Sequence, residues 1–262
     1  MTSPDLDAIL AGYLEGDDPV PEEAECFVGD GDYRAIGAEF LGHFVRLGSL
    51  LPDDRVFEIG CGMGRMAMPI RRYLSEKGRY HGMDVVKLGI EWCQREISFR
   101  DPRFTFSHHD FYHPLYNSTG RETASRASLA AKDGSVEFLI ATSVFPHLSR
   151  PVFGRYLSEM ARVLAPGGRV FATFFLINPI SRAAAEEGLS RYPFDLSESG
   201  PMYRPRSDPL LSSVAVDEDW LLACCTGVGL ELGIPVVHGY WPYENPERGL
   251  SYQDICVFER RI

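Results

Sequence analysis

The chain has 262 residues, of which 45% are hydrophobic and 24% are charged. These values are ordinary for globular proteins, so they exclude a disordered tail protein and a collagen-like fibre. The 37 acidic and 26 basic residues give a formal net charge of −11. We therefore expect no nucleic-acid partner, because a polyanion binds basic surfaces. No apolar run approaches the roughly 20 residues of a membrane-spanning helix, so we expect no membrane partner either.

The cysteine pattern and the first residues indicate a compartment. Six cysteines lie at positions 26, 61, 93, 224, 225 and 256, and none forms a Cys-x-x-Cys pair. This spacing is typical of neither a zinc ribbon nor a secreted disulfide framework, so we interpret them as free thiols. Residues 1–10 carry acids and no basic segment, and we expect no signal peptide there. The sequence predicts a cytoplasmic protein.

Helices and strands alternate along most of the chain. The predicted elements, in chain order, are helices near 6–14 and 35–47, a strand at 55–59, a helix near 66–74, a strand at 80–83, a helix near 90–97, strands at 104–107 and 136–142, a helix at 153–164, a strand at 169–176, a helix near 217–227 and strands near 230–237 and 253–258. Apolar residues at helical spacing and short apolar runs support these assignments. The alternation indicates a parallel sheet with helices on both faces, which binds ligands beyond the carboxyl ends of its strands.

Two long connections interrupt the alternation. Residues 112–135 are rich in Ser, Thr, Ala and Gly, and residues 190–216 contain four prolines. Long irregular connections in a compact domain are lids over a ligand or disordered insertions. We therefore divide the chain into an N-terminal extension, 1–32, and one domain, 33–262, with insertions near 112–135 and 190–216.

The most informative segment is a run of glycines after the strand at 55–59. Gly60, Gly62 and Gly64 occupy every second position, and the acid Glu58 precedes them. Glycines let the backbone turn tightly and approach a ligand closely, and the start of the following helix presents N–H groups. Asp84 ends the next strand, where a carboxylate can accept both hydroxyls of a ribose.

The spacing of the glycines distinguishes between two candidate cofactors. A nicotinamide dinucleotide needs Gly-x-Gly-x-x-Gly, whereas this loop has Gly-x-Gly-x-Gly after an acid, which suits a cofactor with an ammonium group and no pyrophosphate. The loop resembles the first motif of the class I S-adenosylmethionine-dependent methyltransferases. Asp110-Phe111 and residues 161–169 are similar to later motifs of that family, in the same order. A nicotinamide-dependent oxidoreductase and a catalytically silent cofactor-binding subunit remain the alternatives.

The resemblance, which runs from about residue 33 to residue 176, implies a fold, a cofactor and a set of site residues. The fold is α/β, with a Rossmann-like, doubly wound sheet of seven strands, mostly parallel with one antiparallel strand. The cofactor is S-adenosylmethionine. The family positions imply that Glu58, Gly60, Cys61, Gly62 and Gly64 face its amino acid part, that Asp84 holds the ribose, that Met83 or Val85 lies against the adenine, that Asp110 and the Phe111 N–H bind the adenine edge, and that Thr142 and Ser143 lie under the methionine chain. Tyr33 and Arg34 occupy the place of a flap in some members.

His147 is the candidate catalytic base. It follows the fourth strand of the domain, and histidine titrates near neutral pH, which suits removal of a proton from an alcohol. The alternative role is a structural one, in which His147 caps the next helix. His108, His109, Asp110 and His113 form a metal-like cluster on paper, but the family role of Asp110 competes with that role. We predict no metal.

The acceptor class follows from motifs that are missing. The fourth strand does not end in the Asp/Asn-Pro-Pro-aromatic motif of enzymes that methylate base amines, and the chain contains no Pro-Cys pair typical of cytosine C5 enzymes. The paired-glutamate motif of arginine methyltransferases is also not seen. The sequence therefore favours a small-molecule or glycan acceptor, methylated on oxygen. His238-Gly239-Tyr240-Trp241 lies between the last two strands and suggests an aromatic wall for that acceptor.

Overall fold

The computed structural model describes residues 4–22, 27, 29, 31–190, 192, 194–197, 200–205 and 213–261. The chain divides into two compact units. The first contains Met1–Asp110 and Val136–Ile140, and the second contains Phe111–Ser135 and Ala141–Ile262. Cys26 and parts of the predicted insertion at 190–216 lie outside the described residues.

The first unit contains the predicted alternation of helices and strands. Its elements are α1 (Leu6–Leu14), α2 (Tyr33–Arg46), β1 (Arg55–Ile59), α3 (Ala67–Tyr73), β2 (Arg79–Asp84), α4 (Lys87–Cys93), β3 (Phe104–His108) and most of β4 (Val136–Ala141). A π-helical turn, Gln94–Ser98, extends α4, so the apolar face predicted for 90–97 spans two kinds of helix.

The second unit continues the alternation and adds short elements. They are α5 (Arg150–Val163), β5 (Leu164–Phe174), β6 (Leu176–Ile177), α6 (Pro179–Glu186), β7 (Met202–Tyr203), β8 (Ala215–Asp217), α7 (Glu218–Gly227), β9 (Leu230–Leu232) and β10 (Asp254–Arg260). Within the part of the chain that the structure describes, no helix combines the length and the apolar character needed to cross a membrane.

The main sheet has seven strands in the order β3-β2-β1-β4-β5-β10-β9. β1 runs parallel to β2 and β4, and β2 runs parallel to β3. β10 is antiparallel to both of its neighbours, β5 and β9. The predicted Rossmann-like sheet with one antiparallel strand is confirmed. Ligands of such sheets bind where the parallel strands end.

Local signals explain why α1 and α2 begin where they do. The Asp5 carboxylate accepts a hydrogen bond of 3.1 Å from the Ala8 N–H, and the Asp32 carboxylate accepts one of 2.7 Å from the Ala35 N–H. These caps satisfy donors that an isolated helix leaves unpaired. The apolar side of α2 covers the sheet, where the rings of Phe44 and Phe138 lie 5.9 Å apart.

Helix α5 fixes one half of the 112–135 connection. Its Arg155 donates to the Ala127 carbonyl (2.6 Å), and the buried Glu159 accepts from the Leu129 N–H (2.8 Å). Arg162 donates to the carbonyls of Leu129 (3.2 Å) and Ala131 (3.0 Å). This part of the connection is therefore ordered by charge-assisted hydrogen bonds from one helix.

Two predicted strands have different limits in the structure. β5 begins at Leu164 and includes Pro166-Gly167-Gly168, so these residues lie inside the strand rather than before it. β9 ends at Leu232, not at residue 237. Pro235 has no N–H to donate to a strand ladder, and Val237 then pairs again with Ile255 in an isolated bridge.

The sequence did not predict a second, three-stranded sheet in the order β6-β8-β7. Strands of two or three residues are too short to show a period-two pattern. A buried cluster of Phe175, Ile177, Phe194, Tyr203, Ala215 and Trp241 supports this small sheet. The connection predicted as an irregular insertion at 190–216 therefore includes sheet structure at Met202–Tyr203 and Ala215–Asp217.

Candidate active site

The backbone of the glycine loop is left-handed at all three glycines. Gly60, Gly62 and Gly64 have φ values of 71°, 53° and 73°, a left-handed conformation that residues with a side chain adopt at a cost. A Cβ at Gly64 would lie 2.5 Å from the Ile97 side chain. The N–H groups of Gly60 and Cys61 donate to the Met83 carbonyl, at 2.8 and 3.1 Å. These two bonds fix the loop on the end of β2.

The predicted helix follows the loop closely. α3 begins at Ala67, and the Met68 N–H already donates to the Gly64 carbonyl at 2.9 Å.

Asp84 lies against the loop. Its carboxylate accepts a hydrogen bond from the Gly62 N–H (2.7 Å) through Oδ2 and another from the Val86 N–H (2.8 Å) through Oδ1. Burial raises the pKa of Asp84, and the two backbone N–H groups oppose that shift. Each oxygen keeps a second lone pair, so the predicted bonds to ribose hydroxyls are compatible with this geometry.

Glu58 is enclosed in the first unit. It is 1% exposed, and the Tyr80 hydroxyl donates to its Oε2. Burial raises the pKa of Glu58 to about 8, because a charged carboxylate is costly without water. Sequence reasoning missed Tyr80 as its partner, since the two residues lie on neighbouring strands, 22 residues apart in the chain.

The other predicted cofactor residues of the first unit differ in exposure. Cys61 and Met83 are buried, whereas Val85 is half-buried and its carbonyl accepts from His108 Nε2 (3.1 Å). Cys61 packs on Gly82, where a Cβ would lie 2.9 Å from the Cys61 sulfur. Asp110, at the end of this unit, is half-buried.

The two flap residues have different partners. The Tyr33 hydroxyl donates to the Met63 carbonyl in the glycine loop (2.8 Å). Arg34 donates to the carbonyls of Tyr13 (3.1 Å) and Asp18. Tyr33 thus supports the loop, while Arg34 fastens α2 to the N-terminal segment.

Phe111, Thr142 and Ser143 lie in the second unit. Phe111 is buried and bridges to Glu122 within the long connection. Thr142 is half-buried and Ser143 is exposed directly after β4. Ser143 has a φ of 55° although it is not a glycine, and its N–H donates to Thr173 Oγ1 at 2.7 Å.

His147 ends a short 3-10 helix, Phe145–His147. Its Nε2 lies 3.4 Å from the Tyr116 hydroxyl, and its carbonyl accepts from His113 Nε2 at 2.8 Å. The N-cap residue of α5 is Ser149. Among the described residues, no group of three or more His, Cys, Asp or Glu side chains is arranged to hold a metal ion.

The predicted aromatic wall is wrong for Trp241. The ring is fully buried, with centroids 5.3 Å from Phe175 and 5.7 Å from Phe194, and its Nε1 donates to Asp254 Oδ2 at 2.7 Å. Trp241 is therefore a core residue of the small sheet. Tyr240, by contrast, is half-buried, and its ring lies 5.2 Å from that of Tyr252.

His238 is exposed beside two carboxylates that sequence reasoning missed. Its Nδ1 lies 3.5 Å from Asp254 Oδ1 and its Nε2 lies 3.9 Å from Glu218 Oε2. Asn178 Nδ2 lies 3.4 Å from Nδ1 and donates to Glu218 at 2.9 Å. The hydrogen bond to Asp254 raises the pKa of His238.

Comparisons with known proteins agree with this geometry. A family profile described as a methyltransferase domain matches residues 56–168. Phthiotriol/phenolphthiotriol dimycocerosates methyltransferase 1 of Mycobacterium ulcerans is 30% identical over 126 residues, which are 47% of this chain and 38% of that protein. The chain thus spans well under half the length of this curated relative.

Solved structures share the fold. A crystal structure of a SAM-dependent methyltransferase from Methanosarcina mazei superposes with a TM-score of 0.54 at 19% identity, covering 82% of this chain and 96% of that one. The 1,6-didemethyltoxoflavin-N1-methyltransferase of Burkholderia thailandensis, solved with bound 1,6-didemethyltoxoflavin and S-adenosylhomocysteine, gives 0.52 at 14% identity, covering 100% and 92%.

The glycine loop and the two acids beside it, Glu58 and Asp84, lie within the matched segment. The left-handed glycines, the Asp84 carboxylate on the loop and the buried Glu58 before it lie at the positions that the sequence predicted for cofactor binding. The match begins at residue 56, just before this loop. Residues 56–168 match a methyltransferase domain, and the cofactor of that family is S-adenosylmethionine.

Proposed function

We propose that the protein transfers a methyl group from S-adenosylmethionine to an oxygen atom of a small molecule or glycan. The observation that carries the proposal is the glycine loop fixed to Asp84 inside a matched methyltransferase domain. This match supports methyl transfer over the nicotinamide-dependent alternative.

Two further observations support the acceptor class. The net charge of −11 opposes a polyanionic substrate. The solved N1-methyltransferase from Burkholderia thailandensis holds 1,6-didemethyltoxoflavin, so this fold also serves acceptor atoms other than oxygen. Oxygen is proposed here because a histidine, which can remove an alcohol proton, follows the fourth strand.

The family resemblance suggests a role for each group. S-adenosylmethionine, when bound, supplies a methyl group activated by a positive sulfonium. Glu58 and the loop would hold its amino acid part, Asp84 its ribose, Val85 or Met83 and Asp110 with the Phe111 N–H its adenine, and Thr142 and Ser143 its methionine chain. His147 Nε2 would take the acceptor proton as the oxygen lone pair forms the new bond to the methyl carbon; the bond from that carbon to sulfur would break, and S-adenosylhomocysteine would leave.

We also propose the cytoplasm as the compartment. Cys61, Cys93, Cys224, Cys225 and Cys256 are free thiols. Cysteines of this kind are typical of a reducing environment.

The test is turnover with methyl-labelled cofactor against a panel of phenols, sugars, carboxylic acids and amines. We expect label on a hydroxyl compound, and a loss of about 10²–10⁴ in rate for His147→Ala, the usual range for a lost general base. Cofactor affinity in His147→Ala should stay normal. Label only on amines would contradict O-methylation. Normal binding of S-adenosylhomocysteine without any labelled product would favour the catalytically silent subunit.

A further inference from the structure

Ser143 carries backbone strain at the end of β4. Its φ of 55° is left-handed, and it is one of few residues other than glycine with positive φ among those described. Such a conformation persists only where surrounding contacts hold it, and it is found more often at functional sites. The contacts that hold Ser143 in this conformation therefore indicate its functional role.

Three hydrogen bonds close a ring around Ser143. Its N–H donates to Thr173 Oγ1 (2.7 Å), the Thr173 hydroxyl donates to Gln253 Oε1 (2.6 Å), and Gln253 Nε2 donates to Ser143 Oγ (3.1 Å). Because a backbone N–H can only donate, the Thr173 proton points onward to Gln253. The side-chain amide of Gln253 is then oriented with its nitrogen toward Ser143.

The direction of this ring decides the role of the Ser143 hydroxyl. Its oxygen accepts from Gln253, so its own proton is the donor at the end of a polarised chain. Thr173 is 1% exposed, whereas Ser143 is exposed. The buried Thr173 therefore anchors the three bonded groups, and the exposed Ser143 hydroxyl has an O–H that can donate to a ligand.

The ring lies at the edge of the sheet where ligands bind. Thr173 is next to the last residue of β5, and Gln253 directly precedes β10, whose first residue, Asp254, is paired with Phe174. Since β10 is antiparallel, it begins at the edge where the parallel strands end. A donor at this place suits a negatively charged oxygen.

We propose that Thr173 and Gln253 are positioning residues that aim the Ser143 hydroxyl at the carboxylate of the cofactor's amino acid part. This inference rests on the proposed function, which places Ser143 beside the methionine chain. It adds two residues to the site, neither of which follows from the family motifs quoted above.

The experiment compares two ligands by calorimetry: S-adenosylhomocysteine, which has the carboxylate, and 5′-methylthioadenosine, which lacks the whole amino acid part. We expect Ser143→Ala, Thr173→Val and Gln253→Met each to weaken S-adenosylhomocysteine by about 5- to 15-fold, the loss of one hydrogen bond. Affinity for 5′-methylthioadenosine should not change. The double variant Ser143→Ala/Thr173→Val should bind no worse than the weaker single variant, because both remove the same donor.

Gln253→Glu sharpens the test, because a carboxylate accepts from Thr173 but cannot donate to Ser143. The carboxylate accepts the Ser143 proton, so we expect Gln253→Glu to bind S-adenosylhomocysteine as weakly as Gln253→Met does. Thr105→Val, at a strand threonine of β3 bonded to His81, is the matched control and should bind both ligands normally.

Two results would overturn the proposal. One is normal S-adenosylhomocysteine affinity in a folded Ser143→Ala protein. The other is an equal loss for both ligands, which would indicate a purely structural role for the ring. Failure of the proposed function alone gives a different result: the wild-type protein forms no labelled product, while the affinities follow the expected pattern. A wild-type protein that binds neither ligand would contradict both proposals.

Discussion

Replacement of Glu58 by Gln should stabilise the protein at neutral pH. Glu58 is buried, accepts from Tyr80, and has a pKa raised from 4.5 to about 8. Between these two values the unfolded chain loses the Glu58 proton while the folded protein keeps it. The free energy of unfolding contributed by this group therefore falls as pH rises, by about 1.4 kcal/mol per pH unit, and it levels off above pH 8.

At pH 7, which is 2.5 pH units above the ordinary pKa of 4.5, the burial of Glu58 lowers the free energy of unfolding by about 3 kcal/mol. A glutamine keeps an oxygen to accept from Tyr80 and has no charge to bury, so Glu58→Gln should recover most of this cost.

Urea unfolding of wild type and Glu58→Gln between pH 5 and pH 9 is the assay, and the difference between the two curves isolates this one group. We expect the difference in unfolding free energy to grow from pH 5 to pH 8 and then to stay constant. Glu137→Gln, which removes a partly exposed carboxylate paired with Arg55, is a control expected to destabilise instead. Parallel pH profiles for wild type and Glu58→Gln would refute the reasoning.

The same group links cofactor binding to protons. If Glu58 pairs with the cofactor ammonium group, it must lose its proton on binding, since an opposite charge lowers the pKa of a carboxyl. Calorimetry of S-adenosylhomocysteine at pH 7 in buffers of different ionisation enthalpy should show proton release in wild type and less release in Glu58→Gln. Equal release in both would show that Glu58 does not meet the ammonium group.

Three further outcomes are expected. Asp84→Ala should weaken S-adenosylhomocysteine binding by about 1.5–3 kcal/mol and lower the Tm, because it leaves two N–H groups without their acceptor; Asp84→Asn should lose less, and unchanged affinity would exclude Asp84 as the ribose ligand. Gly62→Val, at a φ of 53°, should abolish cofactor binding in a protein that still gives a cooperative melt, whereas Gly154→Ala, which meets no atom within 4 Å, should bind normally. An NMR titration should give His238 a pKa above 6.5, because Asp254 and Glu218 favour its charged form; the stability from this pairing is complete below 6.5 and lost as pH rises through the folded-state pKa, and a pKa at or below 6.5 would contradict the pairing.

Elements with local signals were predictable from the sequence. The helix Leu6–Leu14 was expected at these bounds, since Asp5 caps it and its apolar residues are close in the chain. The glycine loop was predictable for the same reason, because a left-handed turn imposes its residue type. The two-residue strands β6 and β7 have no pattern to detect, and they form only through the buried cluster around Trp241.

The candidate site divides in the same way. Glu58 and Asp84 stand at motif positions and were predicted, but their partners were not. Tyr80 reaches Glu58 across 22 residues, and Gln253 reaches Ser143 across 110 residues. No spacing rule covers such pairs, because the register between strands creates them.

The hold of α5 on residues 127–133 has a consequence for engineering the protein. Because Arg155, Glu159 and Arg162 fix that half of the connection, the segment from Tyr112 to Thr123 behaves as a short loop between two anchored ends, and its closure entropy depends only weakly on its length. Segments of different length and side chain can be exchanged there without removing a buried contact of α5. This stretch, which carries Tyr116 next to His147, is therefore a place where residues can be varied while the fold is kept.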